Sequence, residues 1–238
     1  MAVPAVETTG VEVVDLGTTT LRELNQRLHD LAVGAPGPWR VRVVNPSGAH
    51  AVACGLDAEI DVEIEGHVGY YCAGMNKLAT VRVHGNASTG IAENMMSGRV
   101  EVDGNVSQSA GATGRGGLLV VHGNASSRCG ISMKGIEIVV GGSVGHMSAF
   151  MAQTGCLVVC GDAGEALGDS IYEARLYVRG SVASLGADCI EKELREEHVA
   201  EVVGLLEAAG IDADPTEFRR YGSARRLYNF HVDNAAAY

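Results

Sequence analysis

A right-handed parallel β-helix is the fold class this sequence predicts, and three observations predict it. Glycines recur at a fixed step of 19: Gly66, Gly85, Gly104, Gly123, Gly142, Gly161 and Gly180. The columns beside them are uniform. Two before each glycine stands Ile64, Val83, Val102, Val121, Val140, Val159 or Val178, and four before stands Val62, Val81, Val100, Leu119, Ile138, Leu157 or Leu176. Composition agrees: 32 of 238 residues are Gly and only 5% are aromatic, which suits narrow aliphatic layers joined by tight turns.

The aliphatic columns alternate with other residues, the period-two signature of a strand. A further column two after each glycine reads Val68, Ala87, Val106, Ala125, Val144, Ala163 and Val182. Seven after each glycine only small residues occur, Ala73, Ala92, Gly111, Gly130, Ala149, Gly168 and Ala187, as a second corner with close backbone approach requires. A hairpin meander would reverse direction at each strand and lose these columns. Stacked parallel coils keep them, each residue lying ~4.8 Å from its counterpart, so about seven coils make a rod about 30 Å long. Parallel crossovers of this kind are right-handed.

Residues 41–187 are thus assigned to the β-helix. Trp39–Asn45 reads as a strand with Ser47 in the glycine position, a degenerate first coil. The open ends of such a rod need covers. Residues 1–40 form one, with a helix over Thr20–Ala32 that spaces Leu21, Leu24, Leu28 and Leu31 on one side. Residues 188–238 form the other. Asp188 and Glu191 have capping-box spacing and open a helix to about Ala209, with Ile190, Leu194, Val202, Leu205 and Leu206 as its apolar side and Gly210 as its stop. The tail from Pro215 carries Phe218, Tyr221, Tyr228, Phe230 and Tyr238 among Arg219, Arg220, Arg225 and Arg226. That composition suits folding back over the rod and docking on another subunit equally.

The net charge of −11, without a basic cluster in sequence, argues against nucleic acid or an anionic membrane as partner. No signal peptide and no membrane-length apolar run is read. The six Cys have no CxxC pair, so reduced thiols and a cytoplasmic location are expected.

His84, Asp103 and His122 share the column before the glycines and would stack within reach of one metal, but an outward polar column reads better. Asn86, Asn105 and Asn124, just after the glycines, suit an amide ladder that satisfies turn backbone. Cys156 and Cys160 face one side and fit buried small hydrophobes rather than a redox pair. Gly114–Gly117 (GRGG) lacks the lysine of a phosphate loop. Met95, Met96, Met133, Met147 and Met151 fit core filling better than a sulfur-lined docking surface. The sequence therefore assigns no catalytic, cofactor-binding or metal residue. The period is 19 rather than the 18 of hexapeptide acyltransferases, and no acid pairs recur as in calcium-dependent polysaccharide lyases.

The glycine ladder with Arg128–Gly142 (RCGISMKGIEIVVGG) resembles the GXGXG β-helix domain that ends the large subunit of glutamate synthase. Val14–Leu28, Gly168–Gly180, Ser184–Asp188 and Leu227–Tyr238 extend the resemblance to the stand-alone form of that domain, the β-helix subunit of N-methylglutamate synthase and related complexes. The resemblance implies a non-catalytic scaffold subunit with two partners: a class II glutamine amidotransferase-like subunit and a synthase-like subunit carrying FMN and an iron–sulfur cluster. It implies a hetero-oligomer and no cofactor in this chain. Position 2 is Ala, not the Cys nucleophile of such amidotransferases. The C subunit of formylmethanofuran dehydrogenase shares the ladder, so a subunit of that oxidoreductase, or a purely structural protein, is the alternative.

Overall fold

The computed structural model describes residues 11–34 and 39–227. It is a parallel β-solenoid of about seven turns with two helices. β1 (Glu12–Asp15), β2 (Trp39–Val44), β3 (Ile60–Glu65), β4 (Thr80–Val83), β5 (Arg99–Val102), β6 (Leu118–Val121), β7 (Lys134–Val140), β8 (Thr154–Val159) and β9 (Arg175–Val178) stack in chain order in one sheet. From β3 to β9 the partners are the expected columns, with Val62 beside Val81, Val100, Leu119, Ile138, Leu157 and Leu176. The second column forms one-residue bridges from Val68 to Val182, its alternating Val and Ala filling adjacent layers unequally so that neighbours interlock. Both columns are buried in one continuous aliphatic core.

The two small columns have different physical causes. The glycine ladder is set by proximity. A Cβ at position 123 would lie 2.6 Å from the Gly104 carbonyl oxygen, and one at position 180 would lie 2.5 Å from that of Gly161. The backbones come that close because each glycine amide donates to the glycine carbonyl one coil back, from Gly104→Gly85 at 2.9 Å to Gly180→Gly161 at 3.0 Å. The other column is set by dihedral. Ala73, Ala92, Gly111, Gly130, Ala149 and Gly168 all have φ between 53° and 69°, the left-handed region, and their position faces the core.

At the N-terminal end, α1 (Leu21–Gly34) lays Leu24 and Leu28 over the core. Its first turn holds a capping box: the Thr20 amide donates to Glu23 at 2.8 Å and the Glu23 amide to the Thr20 hydroxyl at 3.3 Å. β1, not anticipated from sequence, pairs in parallel with β2 across this helix. The degenerate first coil is real, with a 21-residue offset (Val41 beside Val62) in place of 19.

The C-terminal end departs from the sequence reading. Asp188 and Glu191 do not start a helix. Glu191 lies in β10 (Cys189–Lys192), and the Asp188 carboxylate accepts from the Ser223 hydroxyl and the Arg226 amide. α2 (Glu196–Ala209) begins later and ends at Gly210, whose φ is 67°. It lies along the outer face of the sheet, where Val202, Leu205, Leu206 and Ala209 pack on Val120, Val139 and Val158 in a second core. Ile190 is exposed. The last coil is closed instead by β11 (Arg219–Ser223), which inserts antiparallel between β9 and β10 and places Tyr221 beside Leu176. Phe218 and Tyr221 are both buried. The first half of the aromatic tail therefore folds back on the rod; Tyr228, Phe230 and Tyr238 lie outside the described residues.

Replacing Gly123 by Ala must force the stack open or bend it, an overpacking cost of about 1–3 kcal/mol. A urea midpoint that falls accordingly, with circular dichroism unchanged, is the expected outcome. An unshifted midpoint would mean the coils are not pressed together at this corner.

Candidate functional site

The outer face of the sheet splits into two halves. Over the first coils most of its outward positions are charged; the sign alternates from β2 to β4, and β5 carries both signs. β2 presents Arg40 and Arg42, β3 presents Asp61, Glu63 and Glu65, β4 presents Arg82 and β5 presents Arg99 and Glu101. Neighbouring rungs then neutralise one another. Arg82 lies 3.0 Å from Glu63 and 3.5 Å from Glu101, Arg42 3.6 Å from Glu65, and Arg40 3.8 Å from Asp61. Opposite charges directly across a ladder stabilise it modestly, and exposed pairs contribute ~0.2–1 kcal/mol each.

The expected polar column sits within this network. His84 Nδ1 is 2.8 Å from Asp103 and its Nε2 is 2.6 Å from Glu63. His122 does not join them; its Nε2 bonds Glu101 at 2.8 Å. Among the described residues no group of three or more His, Cys, Asp or Glu is disposed to hold a metal. The hydrogen bond to Asp103, with that to Glu63, outweighs partial burial and raises the His84 pKa. Glu63 and Glu101 stand outside the histidine column, because the pairs they make with the histidines span 21 residues, one coil plus two.

Over the later coils most of the same outward positions turn apolar, Glu137 and Arg175 being the charged exceptions. Leu118, Val120, Val139, Cys156, Val158 and Cys160 line the surface that α2 and Phe218 cover. Glu201 of α2 clamps this contact. It accepts from Arg175 at 2.8 and 2.6 Å and from the Tyr177 hydroxyl at 2.6 Å. Burial opposes the Glu201 charge, but the bonds from Arg175 and Tyr177 prevail and hold its pKa below the usual range. Burial drives the Tyr177 and Cys156 pKa values well upward. Burial likewise lifts the Cys129 thiol to about 12. Cys156 and Cys160 do face one side, both buried. At the far end of α2, Arg99 donates to the Ala208 carbonyl at 2.7 Å, a cation at a helix C-terminus.

The amide ladder is present and longer than expected. The Asn105 amide donates to Asn86 Oδ1 at 2.7 Å, Asn124 to Asn105 and Ser143 to Asn124 at 2.8 Å, Asp162 to Ser143 at 2.9 Å and Ser181 to Asp162 at 2.7 Å. The GRGG glycines are explained by packing: a Cβ at Gly116 would lie 2.8 Å from the Met96 carbonyl oxygen, and one at Gly117 2.7 Å from that of Gly98. The methionines divide. Met95 and Met133 are core residues, whereas Met96 and Met151, with Met75, are exposed on the corner opposite the glycines.

Among the described residues, the charged half of the sheet and the corner that bears the methionines are both exposed. No described helix is long and apolar enough to cross a membrane. No family model matches the sequence. The chain is 63% identical over 227 residues to the curated Protein GlxC of Rhizobium meliloti (strain 1021), covering 95% of this chain and 99% of that protein.

Two outcomes follow from these charges. The His84 pKa is raised, so its contribution is full below the ordinary imidazole value of about 6.5 and fades as pH rises through the shifted value. The melting temperature should decline over that interval in the wild type and be flatter in His84→Gln; parallel profiles would discount the pairing. Glu201→Gln should cost about 1.5–3 kcal/mol, the size of a hydrogen bond to a charged group. Amide exchange should localise that loss to α2.

Proposed function

We infer the function from one premise, that this chain belongs to the GlxC family, and propose that it is the non-catalytic β-helix subunit of a glutamate synthase-like complex. The complex joins a glutamine amidotransferase-like subunit to a flavin- and iron–sulfur-containing synthase subunit, and its reaction is the synthesis of N-methylglutamate. FMN and the cluster belong to the synthase subunit, and this chain works in the cytoplasm.

One observation carries the reading. A relative at 63% identity covers 95% of this chain and is itself covered to 99%, so the likeness takes in the solenoid together with its covers. The resemblance of the glycine ladder and both flanking segments to the stand-alone glutamate synthase-like β-helix supplies the kind of complex. The physical role follows from the fold. A solenoid fixes its surface residues in a rigid lattice, so domains docked on it are held at constant separation. That is what a complex needs when an amine released at one site must reach another without escaping.

Co-expression with the amidotransferase-like and flavoprotein genes that neighbour it tests the proposal. A stable ternary complex should form, with flavin and iron in the synthase subunit and none in this chain alone. Omitting this chain should lower turnover coupled between the two sites while glutamine or glutamate cleavage persists. Coupled turnover at the full rate without it would refute the scaffold role, and N-methylglutamate absent from the products would refute that reaction.

A further inference from the structure

The corner opposite the glycine ladder is built from the arcs 69–79, 88–98, 107–117, 126–136 and 145–155. The chain has 29 acidic residues, yet Glu93 is the only carboxylate in these five arcs. They hold Lys77, Arg115, Arg128 and Lys134. The coil-to-coil bonds of Lys77, Met96, Arg115, Lys134, Gln153 and Tyr172 place these residues in one column, each amide donating to the coil before it. Arg115 therefore stacks directly over Lys134, one rung of ~4.8 Å away.

Two like charges on adjacent rungs repel. On the sheet face such positions are balanced: Arg40, Arg42, Arg82, Arg99 and Arg175 all have carboxylate partners. Lys77, Arg115, Arg128 and Lys134 form no ion pair and no side-chain hydrogen bond with the described residues. The same arcs carry the exposed apolar side chains Tyr71, Met75, Leu78, Met96 and Met151. Met75 and Met151 hold φ values of 56° and 52° while 56% and 45% exposed, so core burial does not account for them.

We infer that this arc is the docking face for an acidic protein subunit, whose carboxylates complete the ion pairs of Arg115, Arg128 and Lys134 and whose apolar groups seat on the methionines and Tyr71. Charge complementarity selects the occupant. A cationic strip on a chain of net charge −11 steers an acidic protein surface to one side and repels it from the rest. Unbranched methionines and tyrosine are side chains that interfaces favour. Nucleic acid fits less well, since its phosphates need a denser basic array and gain nothing from methionine. The backbone of the arc is already fixed by coil stacking, so little ordering is lost on docking. The inference rests on the subunit reading above for the partner's identity, not for its chemistry.

The test isolates the native assembly through a tag on the full-length chain and applies carbodiimide, which joins lysine only to a carboxylate in contact. Lys134 should couple to Asp or Glu of a subunit identified by mass spectrometry. Arg115→Glu with Arg128→Glu should weaken association with that subunit at least tenfold and leave the melting temperature unchanged. Arg22→Glu, an exposed change on α1, should leave binding intact. If the double variant melts early, Arg115→Gln with Lys134→Gln replaces it. Wild-type assembly by these variants, coupling of Lys134 to a second copy of this chain, or recovery with nucleic acid or alone would overturn the inference. Coupling through the arc to an acidic protein of another class supports the face and sinks the subunit reading. Amidotransferase- and flavoprotein-type subunits bound with Lys134 uncoupled do the reverse.

Discussion

The bond from each glycine amide to the glycine carbonyl one coil back is the constraint on which the rest of the molecule depends. It brings two backbones closer than any side chain permits, as the position of a Cβ at Gly104, 2.7 Å from the Gly85 carbonyl oxygen, shows. Once one residue per coil is fixed this tightly, a coil cannot lengthen or shorten without breaking the stack. The asparagine and serine ladder beside it adds a second line of bonds from side chain to the next coil's amide. Both lines run along the axis, so they hold one register through the whole rod. Buried aliphatic columns supply most of the stabilisation, but they are greasy and would tolerate a slip; the glycine and amide lines would not.

A fixed register turns the surface into a lattice, and the sequence uses each side of it differently. On the sheet face the rungs carry paired charges of both signs as far as β5, and from β6 most of the same positions become apolar and are covered by α2, with Glu137 and Arg175 the charged exceptions. The change is abrupt because a surface strand must be either wetted by charges or buried by another element. Arg99 sits at the boundary and serves both regimes, pairing with Glu101 on its own strand and holding the end of α2 through the Ala208 carbonyl.

What could be read in the sequence was whatever repeats at 19. The strands, the second bridge column, the amide ladder and the small corner column all followed from one period. The helix at Thr20 was legible because its leucines are locally periodic. The parts that were not legible break the period. The bonds of His84 and His122 to Glu63 and Glu101 span 21 residues, since a side chain reaching diagonally crosses a coil and two positions. β1 and β11 join the sheet across 29 and 41–45 residues of offset, set by tertiary packing and not by local pattern. Asp188 and Glu191 have capping-box spacing, yet the Asp188 carboxylate is taken by Ser223 and Arg226, and a strand forms where a helix was expected. A local signal lost to a long-range hydrogen bond that closes the core.

That loss bears on what the rod is for. A bare solenoid end is a template for further coils and must be blocked. Here β11 enters against the direction of every coil strand, so a tenth parallel rung has no partner in register at that end. The basic residues that composition alone would offer to a partner, Arg219, Arg220 and Arg225, are spent in securing this closure, on Gly180, Glu193 and Glu173. Docking capacity is thereby shifted from the end of the molecule to its sides. The sides differ in kind: a sheet face whose charges already satisfy one another, and an arc whose cations Arg115 and Lys134 face each other across a rung with no ion pair among the described residues. The second is the higher in energy alone and therefore the one with more to gain from a partner. In a solenoid this asymmetry has a further consequence, because contacts made along one column lie on a single straight line. A subunit engaging several coils of the arc is aligned with the rod axis, and its orientation is fixed by the same glycine ladder that fixes the fold.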